Sequence, residues 1–146
     1  MTQPAQLPPN EKQRIRALRS FEILDSEPEQ AFDDLVNVAS YVCDTPIALV
    51  SLVDGSRQWF KARKGLGATE THRDLAFCAH AILTPDRPMQ VCDTTKDDRF
   101  KNNPLVTGDP DIAFYAGSPL VTSTHCPGCR AKIPSSYIAE QATVGK

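Results

Sequence analysis

Apolar positions recur at helical spacing through Phe32, Leu35, Val36, Ala39, Val42 and Cys43, and Ser26-Glu27-Pro28-Glu29 ahead of them has the form of a capping box with proline in the first turn. This predicts an amphipathic helix with one face packed on a neighbour. The following run, Ile47-Ala48-Leu49-Val50-Ser51-Leu52-Val53, is almost continuously apolar, which suits a central strand covered on both sides. Asp54-Gly55 supplies a tight turn, and Arg57 to Arg63 reads as the return strand of a hairpin. Upstream, Glu11 to Leu24 reads as a helix with Ile15 and Leu18 on one face and Lys12, Arg14, Arg16 and Arg19 largely solvated. Residues 1–10, with Pro4, Pro8 and Pro9 and only Leu7 to anchor them, read as a disordered leader.

Farther along, Asp74 to Leu83 carries Leu75, Phe77, Cys78, Ala79, Ala81 and Ile82, a pattern for a short buried helix stopped by Thr84-Pro85, with Asp74 placed to cap it. Met89 to Cys92 is a short strand, and Lys96 to Pro110 is a polar loop with room for one helical turn. Ile112 to Gly117 with Leu120-Val121 forms the last regular strand. From Ser123 the alternation lapses, which divides the chain into a leader (1–10), a domain (11–122) and an atypical tail (123–146).

At 146 residues the chain is the size of one domain, too short to hold a sensor and a separate catalytic engine. Sixteen Lys and Arg stand against eighteen Asp and Glu with the signs interspersed, so no basic block exists to neutralise a run of phosphates and nucleic acid is not an expected partner. The longest apolar run is far short of a membrane span and no signal-peptide pattern opens the chain, which points to a cytoplasmic protein. Among five cysteines, Cys43, Cys78 and Cys92 sit in apolar or strand-like contexts and read as buried free thiols. Cys126-Pro127-Gly128-Cys129, with His125 adjacent, has the spacing of a metal knuckle or redox pair. No second knuckle follows it, so no metal is assigned and Cys126 and Cys129 remain weak candidates.

Several segments in one order carry a resemblance: Pro46 to Asp54, Arg57-Gln58-Trp59-Phe60-Lys61, Phe77-Cys78-Ala79-His80, Asp98-Arg99-Phe100, Asn103-Pro104-Leu105-Val106, and Phe114-Tyr115-Ala116-Gly117-Ser118-Pro119-Leu120. Over about Pro8 to Val121 the chain resembles the GAF domains of bacterial sensor histidine kinases and diguanylate cyclases. The resemblance implies an α/β (α+β) fold, a twisted antiparallel sheet with helices on its faces and a small-molecule pocket on one side. It also implies a further interior strand and a long C-terminal helix after Pro119-Leu120. Neither is legible in the tail, so the sequence reads as lacking its last central strand and C-terminal helix.

On that geometry the ligand-binding residues are Trp59, Phe60, Arg73, Phe77, Cys78, His80, Phe114 and Tyr115, with Arg73 at the pocket mouth as an anion contact. A thiol and an imidazole two residues apart on a helix point in different directions, which disfavours Cys78 and His80 as a catalytic pair. Bilin-binding relatives attach their chromophore through a cysteine followed directly by histidine, whereas here Ala79 intervenes. Asp97 and Arg99 read as a pair that fixes the loop. No phosphate-binding loop, nucleophile elbow or kinase motif is present, so no enzyme activity and no catalytic residue are expected, and no cofactor is assigned. The leading reading is a sensing or signal-relaying module, with an unidentified small molecule, a second copy, or a kinase or cyclase output module as partners. The alternatives are a truncated or frameshifted fragment without a role of its own, and a cysteine-based redox enzyme of the methionine-sulfoxide-reducing GAF type.

Overall fold

A computed structural model describes residues 2–122 and 133–141. The elements in chain order are α1 (Glu11–Ser20), α2 (Gln30–Val42), β1 (Ile47–Val53), β2 (Arg57–Lys64), β3 (Glu70–His72), a 3-10 turn (Arg73–Leu75), α3 (Phe77–Ala81), β4 (Met89–Val91), α4 (Pro104–Thr107), β5 (Tyr115–Thr122) and β6 (Ile133–Gln141). The six strands form one sheet in the order β3-β2-β1-β6-β5-β4, and every neighbouring pair is antiparallel.

The interior position expected to be vacant is filled. β6, drawn from the tail, pairs with β1 from Ile47↔Gln141 to Ser51↔Tyr137 and with β5 from Ala116↔Glu140 to Thr122↔Ile133. Backbone hydrogen bonding on both edges holds this strand in place without the apolar alternation by which strands are recognised in sequence.

β1 is buried over its whole length, as its composition predicts, and its two faces pack differently. Ala48 and Val50 join Ala62 and Val36, with Phe32 and Ala39 of α2 against them. Ile47 and Leu49 join Phe60 on the opposite face. Phe60 and Ala62 reach opposite faces because the β1–β2 register slips between Val50 and Ser51, leaving Lys61 as the extra residue of a bulge. The Lys61 ammonium is buried, donating to Ser26 Oγ at 2.8 Å and to the Glu27 carbonyl at 2.6 Å and pairing with Glu29 at 2.8 Å.

That anchorage displaces the expected capping box. Ser26 Oγ donates to the Ile23 carbonyl and accepts from Lys61, so α2 starts only at Gln30, with Glu29 as an N-cap that makes no side-chain hydrogen bond. Its packed face is narrower than the periodicity suggests: Val36 is buried, while Leu35, Val38, Tyr41 and Val42 are exposed, as is Cys43. Cys92 is exposed as well, so of these three thiols only Cys78 is the buried one.

α1 is shorter than predicted and contains one inversion: Arg14, expected in solvent, is completely buried. The predicted helix from Asp74 breaks into the 3-10 turn and α3, separated by Ala76 in an extended conformation, and Asp74 does not cap α3 with its side chain. The last predicted strand begins at Tyr115 rather than Ile112. The one helical turn anticipated in the 96–110 loop is α4, whose N-cap Asn103 accepts from the Leu105 N–H at 3.0 Å. Arg99 grips Asp97 through Nε and Nη2 at 2.9 and 2.6 Å, fixing the loop as the sequence suggests. Residues 2–8 carry no regular structure, yet Ala5 packs on the core beneath α3.

Candidate functional site

Strand alternation turns Leu49 and Ser51 of β1, and Gln58 and Phe60 of β2, toward the layer made by α3, α4 and the loop that leads into β5. Between them lies an enclosed cavity of about 20 Å³ walled by Leu49, Gln58, Phe60, Leu66, Phe77 and Ile112. Such a space holds about one water molecule. The cavity is apolar apart from the Gln58 amide and the hydroxyl of Thr71, which is buried with no hydrogen-bond partner. The α4 side of the wall is held by the Asn103 side chain, which donates to the Leu75 carbonyl at 3.0 Å.

Behind Phe77 the interior is aromatic. Its ring stacks on Phe100 at 4.2 Å and on Tyr115 at 5.2 Å, with interplanar angles of 20° and 23°. A buried polar group sits in this layer: Gln58 Nε2 donates to Ser51 Oγ at 3.0 Å and to Cys78 Sγ at 3.2 Å, and the Tyr115 hydroxyl donates to the same sulfur at 3.4 Å. Burial pushes the Cys78 thiol up to about 12, outweighing the hydrogen bonds it shares with Tyr115, Ser51 and Gln58. Burial likewise raises Tyr115 well above a free phenol. Both shifts favour the neutral forms, the thiol and the phenol. The Tyr115 ring lies over Gly117, where a Cβ would run into the phenol, so this strand can carry the ring inward only because residue 117 has no side chain.

His80 takes no part in that group. Its ring stands edge-on to Phe100 at 4.9 Å and its Nε2 meets the Gln3 carbonyl at 3.2 Å, which requires the proton on Nε2. Burial lowers its basicity, with the Gln3 carbonyl opposing. On its outer side His80 borders an open cleft of about 520 Å³ shared with Thr84, Arg87, Met89, Gln90 and Arg99.

Of the residues singled out from sequence, Phe60 and Phe77 wall the cavity, while Cys78 and Tyr115 lie one layer behind it. Trp59 is turned by alternation to the face opposite Gln58 and Phe60, and the partly buried Phe114 precedes β5 and is no part of the cavity wall. Arg73 lines neither this cavity nor the cleft beside His80. It is 5% exposed, its Nη1 donates to Glu11 at 2.5 Å and to the Asp54 carbonyl at 2.9 Å, and its Nη2 is buried without a hydrogen-bond partner. Gln58, Thr71 and Ile112 belong to the site and were not anticipated, nor was Ser51 in the polar group behind it. Ser51 did signal itself as the one hydroxyl in a wholly apolar strand, and Gln58 lies two residues before Phe60, on the same face.

Glu11 lies between two guanidinium groups. Arg14 binds it in bidentate fashion at 2.8 and 2.9 Å, and Arg73 approaches from the other side. Burial alone would raise this carboxyl, but the hydrogen bonds and charges of Arg14 and Arg73 outweigh it and bring it down to about 2. Because the folded value is depressed, the stability Glu11 contributes is present above its ordinary value of 4.5 and is lost as pH falls from there toward 2. Urea unfolding of the native chain and of Glu11→Gln at about pH 5.5 and about pH 3 should show the gap between them narrow markedly on acidification. A gap that does not change with pH would mean that Glu11 keeps an ordinary carboxyl in the folded chain.

Among the described residues no three His, Cys, Asp or Glu side chains are grouped to hold a metal ion, and Cys126, Cys129 and His125 lie outside the described residues. No described helix is long and apolar enough to cross a membrane.

The model of the GAF domain family matches residues 27–129. The chain belongs to the GAF family. A cyclic di-GMP phosphodiesterase of Pseudomonas aeruginosa is 40% identical over 116 residues, a match that covers 80% of this chain and 20% of that protein. The chain therefore spans about a fifth of its relative's length. Among solved structures, the GAF domain of an Acinetobacter phosphoenolpyruvate-protein phosphotransferase superposes with a TM-score of 0.57 at 15% identity, covering 92% of this chain and 78% of that one. A far-red cyanobacteriochrome photoreceptor gives 0.60 at 8% identity over 92% of this chain and 82% of its own. The type II free methionine-R-sulfoxide reductase of Thermoplasma acidophilum gives 0.58 at 10% identity over 86% and 77%. At these identities the structural likeness establishes the shared fold alone.

Proposed function

We propose that this GAF domain is a regulatory, non-catalytic module of a bacterial signalling protein, that it senses a small molecule through the cavity between the β1–β2 hairpin and α3, and that the output it serves is cyclic di-GMP turnover. The observation that carries the reading is the character of the cavity: apolar walls from Leu49, Phe60 and Phe77, with the Gln58 amide and an unpartnered Thr71 hydroxyl converging on them. In its present form the space is far smaller than a ligand, so binding requires the α4 side to move outward. The output is taken from the phosphodiesterase relative, whose matched region is its GAF portion. A role in relaying signals to a histidine kinase has no comparable support. The fragment alternative loses its main argument, because the strand position read as empty is occupied by β6.

The sealed, protonated Cys78 argues against the redox-enzyme alternative, since a thiolate reductant must be accessible and ionised at working pH. The test is a small-molecule screen on the full chain followed by NMR. Shift changes gathered at the Gln58 side-chain amide, Thr71 and Phe77 are expected. Turnover of free methionine sulfoxide that disappears in Cys78→Ala, or shift changes confined to segments away from this cavity, would overturn the reading.

A further inference from the structure

α1 packs along β6 and fully buries two of its residues, Leu18 and Arg14. Its link to the cavity side of the sheet is polar. Arg14 Nη1 donates to the Val53 carbonyl at the end of β1 at 2.6 Å, and Glu11 joins Arg14 to Arg73. Arg73 heads the 3-10 turn: its N–H donates to the Ser56 carbonyl at 3.0 Å, and its carbonyl accepts from Ala76 N–H at 3.0 Å. One residue later stands Phe77, a wall of the cavity, and the Leu75 carbonyl between them is held by Asn103, the cap of α4. One unbroken series of contacts thus runs from α1 through a single carboxylate to the 73–77 and α4 sides of the cavity.

We propose that α1 is a releasable latch on the cavity: Glu11 grips Arg73, Arg73 holds the 73–77 segment that carries Phe77, and undocking of α1 frees that segment so that the cavity opens. This deepens the sensing role and rests on it only in naming the cavity as the sensor. The arrangement has the features of a separable unit, since a terminal helix opens at lower cost than the interior strands it lies on. It is also reciprocal: a ligand that holds the cavity open weakens the docking of α1 by the factor by which undocking favours the ligand. Leaving two buried guanidinium groups without their carboxylate is the most direct way to release it.

Cys78, one residue beyond Phe77 and fully buried, is a built-in reporter of opening. The experiment labels the full chain with a thiol reagent, reads Cys78 by peptide-resolved mass spectrometry, and measures amide exchange of α1 in the same samples. Glu11→Gln should raise the labelling rate of Cys78 and the exchange of α1 on the order of tenfold or more. Val36→Ala, which destabilises the α2 side of the sheet, serves as a control matched for loss of Tm. Should Glu11→Gln fold too poorly to compare, Glu11→Asp withdraws the carboxylate by one methylene and should give a smaller change of the same kind. Faster α1 exchange with unchanged Cys78 labelling, or labelling no faster than in the matched control, overturns the latch. Joint acceleration without any small molecule binding at Gln58 and Thr71 keeps the latch and removes the sensing role, so the two ideas fail separately.

Discussion

Replacing Ile138 by proline should abolish the cooperative thermal transition of this chain. By register Ile138 stands between Val50 of β1 and Ser118 of β5, in the middle of the one strand that joins the β3-β2-β1 half of the sheet to the β5-β4 half. Proline removes a ladder hydrogen bond there and distorts an interior strand, at a cost of about 3 kcal/mol or more. Two buried strand edges then open together, against a total stability of roughly 5 to 15 kcal/mol for a typical domain. Thermal unfolding by circular dichroism, beside sedimentation to detect association through the freed edges, is the measurement. A variant that melts as a monomer within a few degrees of the native chain would show that β6 is not what closes the sheet.

The second large effect belongs to Phe77→Ala. Phe77 is 1% exposed and stacks with both Phe100 and Tyr115, so truncation should cost about 3 to 5 kcal/mol. The space vacated adjoins the existing cavity, and the enlarged site, mostly apolar with the Gln58 amide and Thr71 hydroxyl at its edge, should be able to take a small aromatic guest. The expected result is a large fall in Tm, partly restored by benzene or indole at millimolar concentration. Full loss of Tm with no recovery by any apolar guest would indicate that the α4 side collapses into the gap rather than leaving it open.

How far the sequence reveals this molecule depends on where each element's evidence resides. β1 and the hairpin to β2 are legible because burial on both faces writes itself directly into composition, from Ile47 to Val53. β6 is not: its place is secured by backbone pairing to β1 and β5, and residues such as Pro134, Ser135 and Ser136 carry no alternation that reports it. The capping box at Ser26 has the right spacing but loses its serine to the ammonium of Lys61, a residue in a bulge that no local pattern announces. At the site, Phe60 and Phe77 follow from the pairing of aromatic residues with strand and helix. An exposed and a buried arginine look alike in sequence, and at Arg73 only the arrival of Glu11 from α1 decides between them. The same holds for Arg14.

The order of the strands also fixes an order in time. β1 and β2 are neighbours in sequence and can pair early in synthesis, but the second edge of β1 waits for Ile133–Gln141, so that Ile47 meets Gln141 only after all the intervening residues have been made. During that interval β1, buried over its whole length in the finished fold, has one edge open, a condition that slows closure of the sheet and exposes the strand to wrong pairing until β6 arrives.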